Sequence, residues 1–352
     1  MKKIKLAVVP GDGIGTEVVP HALKVLDTIA ELHGGLAFEY EHFDYGCDYY
    51  LEHGAMMDED GLESLGQSDS VFLGAVGDIS KVPDHISLWG LLLKIRREFE
   101  LEINVRPAKV FEGIRSPLLN PKDFDLVVVR ENSEGEYSSV GGRMYQGDNE
   151  IAIQNNVFSR RATKQAMEHA FELAKSRSGH VTSATKSNGI FHSMPFWDEV
   201  FKETAQKHRG IETASQHIDA LAATFVTHPE NYDVIVASNL FGDVLTDIGA
   251  AIMGSIGIAP SANLNLNGKH PSMFEPVHGS APDIVGKEIA NPIGQLWTAK
   301  MLLDHHGEGE MGTLLLDTME RVTADGFLTP DIGGDKKTGE VTEELIRRLK
   351  KK

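Results

Sequence analysis

The chain has almost no cysteine. Its one thiol, Cys47, has no second cysteine to pair with, so no internal disulfide braces the fold and a reducing compartment is expected. Positive charge is also scarce: 34 Lys and Arg face 52 Asp and Glu, a net charge of −18. So acidic a chain argues against a general nucleic-acid binder or a protein seated on an anionic membrane. No run reaches the ~18 apolar residues of a membrane span. The opening MKKIKLAVVPGDG places basic residues before apolar ones, but Pro10 and Gly11 break the run too early for a secretory core. The expected location is the cytoplasm. Two catalytic signatures are missing as well. No GxxxxGK[ST] occurs, which disfavours a phosphate-transfer loop. The fifteen histidines form no HExxH and no Cys/His ligand spacing, which makes a zinc site improbable.

What is present is a globular composition. The chain has 352 residues, 41% of them hydrophobic, and 35 glycines. That length suggests two domains or one large one, with many tight turns. Strand-like runs at residues 4–9, 70–75, 125–130, 180–184 and 233–237 alternate with helical patterns. The helices are expected at 15–33, 87–99, 159–176, 196–207, from 243 onward, 291–305 and 312–325. Such alternation predicts an α/β fold with a largely parallel sheet. Residues 135–158, Gly-rich and alternating, read as an extended β-arm of the kind exchanged between subunits.

The most informative stretch is 231–257. An apolar run ends at Ala237, Asn239 and Gly242 suggest a turn, and Asp243 and Asp247 follow one helical turn apart. Like charges at that spacing cost a helix a few tenths of a kcal/mol, roughly, and a divalent cation would turn the repulsion into a site. Two solvated aspartates near a helix start are the plain structural alternative. Asp219 is a third candidate metal carboxylate. GDGIG at 11–15 follows a strand, but its spacing is not that of the dinucleotide fingerprint, and a tight strand–helix turn explains it equally well. HGSAPDIVG at 278–286 offers Ser280 as a helix cap, Pro282 for the first turn and Asp283 after it. A helix start there could hold a pyrophosphate. Asp283 would bond an adenosine ribose and repel a 2′-phosphate, which favours NAD over NADP. A capped helix without a ligand remains the alternative. Arg96, Arg97, Arg106 and Arg130 are either carboxylate forks or ordinary ion-pair partners. Tyr137 and Lys186 are single residues that could move protons or simply be surface structure.

Taken in order, VVPGDGIGTE, LLLKIRREFELEINVRP, VVRENSEGEYS, TKSN, NLFGDVLTDIGA and FEPVHGSAPDIVGKEIANP resemble the β-decarboxylating dehydrogenases, the family of isopropylmalate and isocitrate dehydrogenases. The resemblance spans nearly the whole chain. It is closest, through residues 82–99 and 130–143, to members acting on tartrate and D-malate. It implies a two-domain α/β fold with a large mixed sheet, not a Rossmann fold. One discontinuous NAD-binding domain would take residues 1–102 and 254–352. A substrate, metal and dimerisation domain would take 103–253, with the arm at 135–158.

The resemblance also assigns roles. Arg96, Arg106 and Arg130 bind the departing carboxylate. Asp243 and Asp247 hold Mn2+ or Mg2+, and Asp219 comes from the partner subunit. Lys186, also from the partner, is the general base, and Tyr137 supplies a proton. NAD is held by Ile14, Asn188, His278, Gly279, Ser280, Ala281, Asp283 and Asn291, so GDGIG is not its pyrophosphate cradle. A place is left open for a monovalent cation such as K+. The expected partners are a small dicarboxylate and a second copy of the chain in a homodimer with shared active sites. The implied reaction is NAD-dependent oxidation and β-decarboxylation of a 2-hydroxy dicarboxylate: D-malate to pyruvate and CO2, or tartrate to oxaloglycolate or glycerate. Substrate choice is expected in residues 84–93, where Ser87 and Trp89 would meet the substrate and the bulky Trp89 would shorten the pocket. The nearest rival is a 3-isopropylmalate dehydrogenase of leucine biosynthesis. A rival of another class is a non-catalytic regulatory subunit that binds nucleotide and metal.

Overall fold

A computed structural model describes residues 1–118 and 123–351. Among them run twelve strands: β1 (Lys2–Gly11), β2 (Leu36–His42), β3 (Ser70–Ala75), β4 (Ile103–Lys109), β5 (Asp125–Glu131), β6 (Gly141–Met144), β7 (Ile151–Gln154), β8 (His180–Thr185), β9 (Glu212–His217), β10 (Val234–Ala237), β11 (Pro260–Leu264) and β12 (Ser272–Pro276). The chain forms two compact units. One comprises Met1–Leu101, Val110–Leu119 and Ala250–Lys352; the other comprises Glu102–Lys109 and Asn120–Gly249. The chain enters the second unit for β4, returns to the first from Val110, and enters the second again before β5.

In the first unit the strand order is β2-β1-β3-β12-β11, with every pairing parallel except β11 with β12. β3 (SVFLGA) is buried at all six positions, as befits a strand covered on both faces. In the second unit the order is β4-β5-β10-β8-β9, and only the β4–β5 pairing is antiparallel. Both units are therefore mixed α/β layers. β10 (VIVA) is wholly buried, and β5 is buried from Leu126 to Glu131. The helix Arg160–Lys175 covers this sheet with Ala162, Thr163, Ala166, Met167, Ala170, Phe171 and Ala174, an apolar stripe at three- and four-residue spacing. Ser159 caps its start, accepting from the Ala162 N–H.

Three local expectations are corrected. The helix expected from Asp243 onward already begins at Asn239, so Asn239 and Gly242 lie within it rather than in a turn. Residues 281–288 form turns rather than the helix expected to open at Ser280. Pro282 and Asp283 suit a helix start, but they suit a turn equally. The helix expected over 87–99 is interrupted: a π-helical turn, Leu88–Leu92, separates Asp84–Ser87 from Leu93–Glu98.

Candidate active site

In the second unit β5, β10, β8 and β9 run in one direction, so their carboxyl ends share an edge. That edge is where open α/β sheets place ligands. Arg130 lies near the end of β5. The helix Asn239–Met253 starts two residues after β10. Lys186 follows β8, and Asp219 follows β9 in the helix Ile218–Thr227.

Asp243 is the hub. Its Oδ1 accepts from Arg130 Nη1 and, at 3.4 Å, from Arg106 Nη1. Its Oδ2 accepts from the Tyr137 hydroxyl at 2.9 Å. Arg130, buried at the strand end, also gives Nε at 3.0 Å and Nη2 at 2.6 Å to Asn239 Oδ1. Arg106 Nη1 donates to Thr246 Oγ1 at 2.7 Å. A β-carbon on Gly242 would stand 2.7 Å from Arg130 Cβ, so glycine lets the helix lie this close to β5. Asn239, Asp243, Thr246 and Asp247 share one helical face, and the sequence reading had recognised only the aspartates. The signal for Asn239 and Thr246 was the same periodicity.

Asp247 is more open and stands 4.0 Å from Arg106 Nη1. Desolvation, followed by the charge of Asp243, raises its carboxyl above the usual range. Two hard carboxylates whose mutual charge is incompletely balanced fit a bound Mn2+ or Mg2+. Asp219 does not join them. It pairs with Lys186 Nζ at 2.7 Å, and this hydrogen bond holds its carboxyl below the ordinary value. Among the described residues no group of three or more His, Cys, Asp or Glu stands ready for a metal. The three metal candidates are thus a pair and a single residue.

In the first unit the carboxyl ends of β1, β3 and β12 carry GDGIG, Gly77 and the 278–283 loop. GDGIG serves as a scaffold for that loop. Asp12 accepts from Cys47 N and Gly77 N, each at 2.7 Å. Gly77 O accepts from Ser280 Oγ, and Ile14 N donates to Ser280 O at 2.8 Å. Ile14, Val18 and Ala290 are buried together, with Ala281 and Ile284 packed against them. His278 is buried, its Nε2 has no hydrogen-bond partner, and burial lowers its pKa. His278 Nδ1 is held on Gly279 O at 3.0 Å, so the unpartnered Nε2 of a neutral imidazole is free to meet a ligand, which fits the adenosine end of a dinucleotide. Gly279 is open around its α-carbon, Ala281 takes a left-handed backbone and Asp283 is exposed. Asn291 is fixed from both ends: Oδ1 accepts from Ile293 N at 3.0 Å, and Nδ2 donates to Asp331 Oδ2 at 3.0 Å. Asn188, in the second unit, is exposed.

Gly13 is the tightest point of this scaffold. Its φ is +57°, and a β-carbon there would stand 2.0 Å from the Ser280 carbonyl oxygen. Gly13→Ala is expected to cost about 2 kcal/mol or more in stability. Urea unfolding reads the effect.

The remaining substrate candidates also lie in the first unit. Arg96 Nη2 donates to buried Glu275 at 2.6 Å, and its own Nε is buried without a partner. Ser87 is fully buried, and its hydroxyl has no hydrogen-bond partner. Trp89 is 46% exposed and lies under the Arg97 guanidinium, 4.3 Å from ring centroid to Cζ. Arg97 is thus a stacking partner.

A family profile described as isocitrate/isopropylmalate dehydrogenase matches residues 5–345. The chain belongs to the isocitrate/isopropylmalate dehydrogenase family. Membership makes it an oxidoreductase of the decarboxylating-dehydrogenase type, in a family that works with NAD(P) and a divalent metal. It is 68% identical over 351 residues to a Bacillus subtilis (strain 168) protein described as a probable tartrate dehydrogenase/decarboxylase, covering 100% of this chain and 99% of that one. It is 50% identical over 357 residues to the decarboxylating D-malate dehydrogenase of Escherichia coli (strain K12), covering 99% of each. Among solved structures, the isocitrate dehydrogenase of Methylococcus capsulatus superposes with a TM-score of 0.87 at 29% identity, covering 98% of this chain and 99% of that one.

Proposed function

We propose that this family member oxidises and β-decarboxylates a 2-hydroxy dicarboxylate with NAD and Mn2+ or Mg2+, taking D-malate to pyruvate and CO2 and acting also on tartrate. The observation that carries this reading is the convergence on Asp243 of two guanidiniums, Arg106 and Arg130, and the Tyr137 hydroxyl. It puts carboxylate recognition, a hard-metal ligand and a proton source within a few ångströms of one atom group. The similarity to relatives named for tartrate and D-malate supports this substrate class over a 3-alkylmalate.

The residues divide the work as follows. Arg106 and Arg130 hold the carboxylate that leaves, using donors whose geometry is set by Thr246 and Asn239. Lys186 takes the C2 hydroxyl proton. Tyr137 returns a proton to C3 once CO2 has left. Its phenol pKa is raised, by desolvation first and the bond to Asp243 second, so it stays protonated and able to donate. The divalent cation, when bound, supplies stabilisation of negative charge developing on the C2 oxygen. NAD, held by the 278–283 loop with Ile14 and Asn291, supplies the hydride acceptor. Asp283, exposed on its turn, would repel a 2′-phosphate.

The working form is a homodimer, in which Lys186 and Asp219 complete the partner's site. The arm strands β6 and β7 support this. Every residue in them is exposed, including Met144, Ile151 and Ile153, and an apolar ribbon bare on both faces suits a second copy of the chain.

A substrate panel tests the reading. D-malate, L-tartrate, meso-tartrate, 3-isopropylmalate and isocitrate are each offered with NAD or NADP. D-malate or a tartrate with NAD should give the highest kcat/KM. Preference for 3-isopropylmalate, or for NADP, would contradict it.

A further inference from the structure

We propose that Glu136 is a positioning residue for Tyr137, clamping it to the helix that carries Asp243; this rests on the proton-donating role given to Tyr137 above. Glu136 precedes Tyr137 directly, and its carboxylate accepts two hydrogen bonds from the start of that helix. Oε1 accepts from the Ser238 hydroxyl at 2.8 Å, and Oε2 accepts from the Leu240 N–H at 3.1 Å. A carboxylate at a helix N-terminus satisfies an otherwise unpaired backbone donor and is favoured by the helix dipole.

The clamp fixes Tyr137 because the backbone around it has little freedom. Gly135 has a φ of +74°, and a β-carbon there would stand 3.3 Å from Asn239 Cβ. Gly135 and Val157 exchange both backbone hydrogen bonds, at 2.7 and 3.2 Å. Asn239 Nδ2 also donates to Glu134 O at 3.0 Å. The turn is thereby pinned to the helix just before Glu136. The tyrosine hydroxyl then reaches Asp243 Oδ2, and the Arg130 guanidinium lies 5.6 Å from its ring. Without the clamp, Tyr137 is a half-exposed side chain on a polar turn, with one hydrogen bond to hold it.

Glu136→Gln keeps the size but loses the charge and one of the two acceptors. Ser238→Ala removes one donor and leaves the carboxylate. Hydrogen–deuterium exchange on the unliganded chain should show faster exchange in both 135–140 and 238–242 for Glu136→Gln, with a smaller change for Ser238→Ala. With D-malate, kcat should fall about tenfold for Glu136→Gln, while KM and Mn2+ affinity stay within about twofold. Added to Tyr137→Phe, Glu136→Gln should slow turnover by no more than about a further twofold, because both changes remove one function. Unchanged exchange, unchanged kcat, losses that multiply with Tyr137→Phe, or Mn2+ affinity falling in step with kcat would each overturn the assignment. If the wild-type chain oxidised no dicarboxylate, the proposed function would fall. The exchange data would still decide whether Glu136 holds Tyr137.

Discussion

Asp243→Asn is expected to lower kcat/KM for D-malate by about a thousandfold, roughly 4 kcal/mol of transition-state stabilisation. The asparagine keeps the shape of the side chain but removes the charge that three groups share. Arg130 Nη1 and Arg106 Nη1 both point at Oδ1, and the Tyr137 hydroxyl donates to Oδ2. An asparagine oxygen can still face the arginines. Its NH2 must then face the tyrosine, which turns that hydroxyl into an acceptor. Buried Arg130 would also lose one charged partner, a change that costs about 3–5 kcal/mol of stability when a buried pair is broken outright. Asn239 Oδ1 still accepts from Arg130, which moderates that cost. The expected signature is therefore a large fall in kcat, a higher Mn2+ requirement and a lower melting temperature. NAD affinity should be unaltered, since the 278–283 loop belongs to the other unit. Steady-state kinetics across an Mn2+ series, with NAD titration alongside, separate these effects. Activity within tenfold of wild type at ordinary Mn2+ would remove Asp243 from the metal and carboxylate machinery.

Lys186→Ala should cost a similar amount, about a thousandfold in kcat, within the range that removal of a positioned acid–base group spans. KM should change little. A small primary amine such as methylamine should restore part of the rate, because it replaces the missing base without touching the fold. Lys186 is bonded to Asp219 at 2.7 Å. Complementation tests whether the pair serves a second copy of the chain. Mixing Lys186→Ala with Asp243→Asn subunits gives heterodimers in which a shared site is either intact or doubly changed. Random exchange should recover about one quarter of the wild-type rate. If each chain used its own Lys186, every site in the heterodimer would carry one lesion and no recovery would appear.

The parts of this architecture that were legible in the sequence were those with strong local signatures. DLVVVR and VIVA read as buried strands because branched apolar residues have nowhere else to go, and β5 and β10 are buried accordingly. Asp243 and Asp247 stood out because two like charges one turn apart are unusual. The metal helix was placed too late in the chain because Asn239 and Gly242 are common turn residues. Here Asn239 is spent on Arg130, and Gly242 makes room for that same arginine. β11 (PSANL) and β12 (SMFEP) have no period of two and escaped notice; they are buried on both faces, where alternation disappears. The turn at 281–288 was read as a helix because capping residues and turn residues are the same types. Hydrogen bonds between distant segments hold its Ser280, through Ile14 and Gly77. The π-helical turn at Leu88–Leu92 has no local signature. Glu136 was one acid among many until its two donors, Ser238 and Leu240, were known.

The most direct measurement is the stoichiometry of one reaction: D-malate with NAD, in Mn2+ and then in excess EDTA, followed for NADH, pyruvate and CO2 together. The three products should appear in equal amounts with Mn2+, and all three should vanish with EDTA. No NADH from D-malate, NADH without CO2, or an undiminished rate in EDTA would contradict a metal-dependent decarboxylating oxidation built around Asp243.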